Sequence, residues 1–179
     1  RVSELKRRQA ASRNTSHVTG VYHPPDKAIS EDALYIDALL QDSELRLDDC
    51  GLEPALQAYR ASIAQEHPND VAAATALLKI GAMLRDVAEG REYTLKTASE
   101  VQKRAVHRAA TGLSKDHALA LAARRALGGT LALLDDKQGA REQFRVVLRF
   151  LEAREPACPP ALVDEMRRLL DGVGGGGGE

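Results

Sequence analysis

Residues 119–151 read LALAARRALGGTLALLDDKQGAREQFRVVLRFL, and the placing of small and bulky side chains in this stretch decides the fold class. Two runs with apolar residues at helical spacing flank the polar break Asp135-Asp136-Lys137-Gln138. On the first run Leu127 and Gly128 are followed by Leu131 and Leu134; on the second, Ala140 is followed by Phe144 and Val147. Helices joined by so short a turn are antiparallel neighbours. Gly128 and Ala140 stand 12 positions apart, which is expected to set two residues without bulk opposite each other at the helix crossing. Leu127, Leu131, Phe144 and Val147 would then fill the space on either side.

The same alternation of apolar helical segments and short polar breaks extends outward, with no strand-like alternation anywhere. Upstream, helices are expected from Glu53 to Glu66, from Val71 to Val87 and from about Tyr93 to Ala110, broken at His67-Pro68-Asn69-Asp70, near Gly90 and at Thr111-Gly112-Leu113-Ser114. Ser114 or Asp116 is expected to cap the helix that runs through Leu134. Downstream, Glu155-Pro156 and Pro159-Pro160 interrupt the chain before a short helix Ala161–Leu170. An earlier helix is expected from Glu31 to about Leu47, capped by Ser30, with Leu34, Ala38, Leu45 and Ile36 on its apolar face. Three parts follow: a basic extended arm over 1–29, in which Pro24-Pro25 excludes helix locally, a helical domain over 30–171, and a Gly-rich flexible tail over 172–179.

The unit at 119–151 resembles the tetratricopeptide repeat, in which a small residue late in one helix meets an alanine early in the next, followed by an aromatic. Ala55, Tyr59, Ser62 and Pro68 look like a second helix of such a pair, and Leu77, Ile80, Gly81 and Leu84 like the first helix of the following one. Ala98, Gln102 and Ala105 keep the offsets only with a longer connection after Leu84. Gly81 and Gly128 are 47 apart, against about 34 in the simple repeat. In this the chain is more similar to the extended repeats of kinesin light chains, though Ala118 stands where those have proline. The resemblance covers roughly residues 50–155 and implies an all-α, right-handed solenoid of antiparallel helix pairs that binds other proteins. An irregular helical bundle is the competing reading, since alanine-rich helices also show small residues at this spacing by chance.

Composition bounds the function classes. The 179 residues are enough for one domain with arms. Aromatics make up only 3% and Trp is absent, so the core must be built of Leu, Ala, Val and Ile. A net charge of −1 gives no general pull toward nucleic acid or an anionic membrane. The charge is unevenly spread, however: residues 1–29 carry a net +4 and residues 30–50 a net −6. Cys50 and Cys158 are too few and too far apart for a disulfide framework or a four-ligand zinc site, and read as free thiols in a reducing compartment. With no apolar run long enough to span a bilayer, the expected setting is intracellular: cytoplasmic or cytoskeletal, with an organelle as the alternative. The chain opens on Arg1 rather than Met, as expected of a fragment of a longer protein.

The residues offer no catalytic constellation. His17, His23, His67, His107 and His117 include no pair at i, i+4 with an acidic partner, and His67 and His117 open turns, where capping is the ordinary role. Asp48-Asp49 and Asp135-Asp136 fall in turns, where aspartate bonds to local backbone. Lys103-Arg104 and Arg124-Arg125 read as the wet faces of helices. The expectation is therefore a non-enzymatic protein-interaction module without cofactor or metal, or else a structural subunit of a large cytoskeletal, axonemal or organellar assembly. The repeat register would place Thr75, Lys79, Ala82 and Arg85 on a groove face beside Ala122, Arg125, Gly129 and Ala132. Lys79, Arg85, Arg125 and Thr75 are the candidate partner-binding residues, with an acidic peptide as ligand and the chain's own residues 30–49 as one such segment. Deleting residues 1–29 is expected to leave thermal melting, followed by circular dichroism, nearly unchanged; a large loss would make the arm part of the core.

Overall fold

A computed structural model of the chain describes residues 35, 36, 38, 40, 52–64, 69–154 and 159–174. The arm 1–29, both cysteines, His67 and the last five residues lie outside these, and with them the expectations made for those positions. Six helices are described: α1 (Leu52–Ile63), α2 (Asp70–Val87), α3 (Glu92–Gly112), α4 (Ala118–Leu133), α5 (Lys137–Glu152) and α6 (Pro160–Gly174). Residues 35, 36, 38 and 40 are helical as well, and no strand occurs among the described residues. The protein is all-α.

Local chemistry sets the helix ends. Asn69 caps α2, its side chain accepting from the Ala72 N–H at 3.0 Å. At the other end Arg91 donates to the carbonyls of Val87 at 2.8 Å and Ala88 at 3.2 Å, supplying partners the helix itself lacks. Gly90 lies at φ 80 in the turn that follows, a conformation open to a residue without Cβ. In the first turn of α3, the hydrogen bond and charge of Lys96 hold the Glu92 carboxyl below its ordinary pKa. The cap of α4 is neither Ser114 nor Asp116 but His117, whose Nδ1 accepts from the Leu119 N–H at 3.2 Å. Asp116 accepts a hydrogen bond from Ser114 instead, which lowers its pKa. The paired aspartates of the next break act locally: Asp135 takes φ 59, and Asp136 caps α5 by accepting from Gly139 N–H at 2.9 Å.

Each helix packs on the next, and α2 also touches α4. Arg108 near the end of α3 pairs with Asp70 at the start of α2, 3.1 Å, so these two helices run antiparallel; α5 and α6 do so too, since Glu152 at the end of α5 pairs with Arg167 midway along α6, 2.9 Å, while Arg141 near the start of α5 lies against Gly174 at the end of α6. Three apolar clusters result. The first joins Ile36 and Leu40 to Leu52, Leu56 and Tyr59 of α1, Leu77, Ile80 and Leu84 of α2, and Ala98, Val101 and Ala105 of α3. The second joins Leu127 and Leu131 of α4 to Phe144 and Val147 of α5 and to Met166 and Val173 of α6. Between them Ala74, Ala109 and Ala120 form a small buried set where α2, α3 and α4 come close, which only short side chains allow.

Several expectations change in detail. Ile36 is buried as expected, and so is Leu40, whereas Ala38 is exposed; Leu34 and Leu45 lie outside the described residues. The last helix does not stop at Leu170, and Gly172 does not end the fold. Burial of Val173 in the second cluster holds the helix as far as Gly174, outweighing the poor helix propensity of glycine. Gly128 does not meet Ala140 as its nearest neighbour: a methyl group there would lie 2.6 Å from Cε1 of the Phe144 ring. A small and a large residue share this crossing, and Ala140 is fully buried alongside. Gly81 is closed over in the same manner, by Gln102 of α3, with a would-be Cβ 2.6 Å from Gln102 Cγ.

Candidate protein-binding face

The four expected partner-binding residues lie on α2 and α4, and the structure gives them different surroundings. Thr75 is exposed, but its hydroxyl donates to the Val71 carbonyl at 2.7 Å. This bond within the helix competes with any ligand for the hydroxyl proton. Lys79, one turn on, is exposed and makes no ion pair among the described residues. Arg85 is half-buried and lies 3.4 Å from the carboxylate of Asp86. Its guanidinium also reaches across to the neighbouring helix, where a Cβ on Gly129 would be 3.9 Å from Nη1. A methyl group at Gly129 would meet Arg85 in ordinary van der Waals contact, so this approach does not itself require glycine.

Arg125 departs from the expected grouping. It pairs with Glu165 of α6, so its charge is directed toward the last helix rather than toward Lys79. Position in the register could not reveal this, because Glu165 is 40 residues away in sequence. Of the other residues expected on the face, Ala122 is exposed and Ala82 and Ala132 are half-buried. Across the expected face, Arg85 of α2 meets Gly129 of α4. At half-exposed positions the ion pairs that border it, Arg85–Asp86 and Arg125–Glu165, each contribute little to stability, about 0–1 kcal/mol.

The remaining charged pairs are structural. Arg104 stacks on the Tyr35 ring, 4.3 Å from its centroid, and the Tyr35 hydroxyl lies 3.5 Å from Glu100, which also holds Lys103. Arg124 donates to Gln143 of α5 at 3.0 Å. Arg154 lies over Phe150 at 4.5 Å and pairs with Asp116. Of the acidic stretch 30–49, a candidate occupant of the face, Ile36 and Leu40 are buried in the first cluster, and its acidic residues lie outside the described residues. Among the described residues no group of three or more His, Cys, Asp or Glu is placed to hold a metal ion, and no helix is long and apolar enough to cross a membrane. The chain matches no protein-family model, no curated protein and no solved structure.

Proposed function

We propose that this chain is a non-catalytic protein-interaction module, built of helix pairs similar to tetratricopeptide repeats, which takes an acidic peptide or the acidic edge of a neighbouring subunit across α2 and α4. The observation that carries the reading is the meeting of Arg85 with Gly129 between two helices that are not consecutive, α2 and α4. Contact between alternate helices is what stacked pairs produce, since the first helix of each pair lies beside the first helix of the next. The two crossings agree with this. Gly81 with Gln102, and Gly128 with Phe144, combine a glycine on the first helix with a bulky side chain on the second, and Ala98 and Ala140 are fully buried four residues before that side chain. The separation is five residues longer in the earlier pair, accommodated by the Arg91-capped turn after α2 and a longer first stretch of α3.

A shallow strip with Lys79 and Arg85 suits an extended ligand whose carboxylates meet the cations while its backbone lies over alanine and glycine. The test is fluorescence polarisation of a labelled Glu-rich decapeptide against the full chain at low and high salt. Binding is expected to weaken with salt and to fall about tenfold or more in Lys79→Glu/Arg85→Glu. Unchanged affinity in that double variant would remove the strip from the function. Arg125→Glu alone is a poor probe, because it also breaks the pair with Glu165.

A further inference from the structure

The large buried side chains fall into two sets that divide the chain in order. The first cluster is built by α1, α2 and α3 with Ile36 and Leu40, the second by α4, α5 and α6. Side-chain pairs between helices keep to the same division. Asp70 with Arg108 ties α2 to α3, whereas Arg124 with Gln143, Arg125 with Glu165 and Glu152 with Arg167 tie α4, α5 and α6 to one another. Arg154, just past α5, pairs with Asp116, just ahead of α4, again within the second half.

The seam between the halves is made differently. Ala74 and Ala109 of the first half meet Ala120 of the second, and Ala123 of α4 joins the first cluster. Among the described residues, the fully buried apolar members of this seam are all alanines. Val106 packs on both clusters, and Leu113 and Leu119 on the alanine set, but these three are only half-buried. Burying a methyl group stabilises by a fraction of what burying a Leu or Phe side chain does. Each half therefore has more to hold its own helices together than to hold it to the other half. The two cores are also unequal. Leu56, Tyr59, Leu77, Ile80 and Leu84 are each at most 1% exposed, while Leu127, Leu131, Val147 and Val173 keep between 4% and 9%.

We infer that α4, α5 and α6 form a unit that opens and recloses along this seam while α1, α2 and α3 stay packed. In stacked helix pairs stability is a sum of what each unit contributes and the coupling between neighbours, so a weak coupling beside the thinner core marks where opening starts. The division bears on binding as well. Arg85 of α2 and Gly129 of α4 stand on opposite sides of the seam, so opening parts the face proposed above and closing reassembles it.

Hydrogen–deuterium exchange of the full chain, resolved by mass spectrometry of its peptic fragments, tests the division. In the wild type, amides midway along α4 and α5 are expected to exchange about tenfold or more faster than those midway along α2 and α3. Phe144→Ala should speed exchange in α4, α5 and α6 by about a hundredfold or more, and leave α2 and α3 within about threefold of the wild type. Ile80→Ala should do the reverse, speeding α2 and α3 by about thirtyfold or more with little change in the second half. Should Phe144→Ala open the second half completely, protection that persists in α2 and α3 supports the inference. Wild-type rates that are alike in the two halves would overturn it. So would equal acceleration of both halves by either variant, or loss of all protection in Phe144→Ala, since each would show a single cooperative body.

Discussion

Phe144→Ala is expected to cost about 3–5 kcal/mol of folding stability, the range for emptying a buried aromatic site. The ring is 1% exposed, and it joins α4, α5 and α6 through Leu127, Leu131, Val147 and Met166. Gly128→Leu attacks the same crossing from the other side, since even its first carbon would stand 2.6 Å from the ring. Overpacking of this kind costs about 1–3 kcal/mol, and Ala140→Leu, at a fully buried position on the facing helix, belongs to the same class. Urea denaturation followed by circular dichroism would read all three. A loss of about 3–5 kcal/mol is a large share of the 5–15 kcal/mol typical of a domain, so a much lower urea midpoint is the expected outcome for Phe144→Ala. If Gly128→Leu melted like the wild type, α4 and α5 would not cross at this glycine.

Gln102→Met is expected to act in the opposite direction, raising stability by about 1–3 kcal/mol. Gln102 is fully buried, and neither its amide nitrogen nor its amide oxygen has a hydrogen-bond partner among the described residues. Burying polar atoms without partners costs about that much, and methionine keeps the unbranched shape that fits over Gly81. The other buried polar side chains of α3 differ. Thr97 and Ser99 return their hydroxyl protons to the carbonyls of Tyr93 and Lys96, at 3.1 and 2.8 Å. A higher urea midpoint with an unchanged slope would establish the effect. A lower midpoint would show that the amide is satisfied in solution.

The position of Gln102 marks the boundary of what the residues reveal in order. Its offset from Gly81 and Ala98 was legible, because packing positions recur at fixed helical spacing. That its amide would be sealed without partners was not, because partners for a buried group come from segments distant in sequence. Arg125 differs for the same reason. Its place on α4 followed from periodicity, but its pairing with Glu165 depends on how α6 folds back over α4.

By itself the sequence determined the all-α class, the order of the described helices and most of their ends to within about two residues. These follow from local causes: period-3.6 burial, Pro and Gly breaks, and side chains that bond to nearby backbone at Asn69 and Asp136. Tertiary structure alone decided which residues face one another. It placed Phe144 over Gly128, brought Arg85 to Gly129, carried α6 through Gly174 by burying Val173, and buried Leu40 while leaving Ala38 exposed. The physical reason is that local propensities amount to tenths of a kcal/mol per residue, whereas burying one large apolar side chain is worth about 1.5–3 kcal/mol. Where the two compete, the partner across the core prevails, and that partner is set by the fold as a whole.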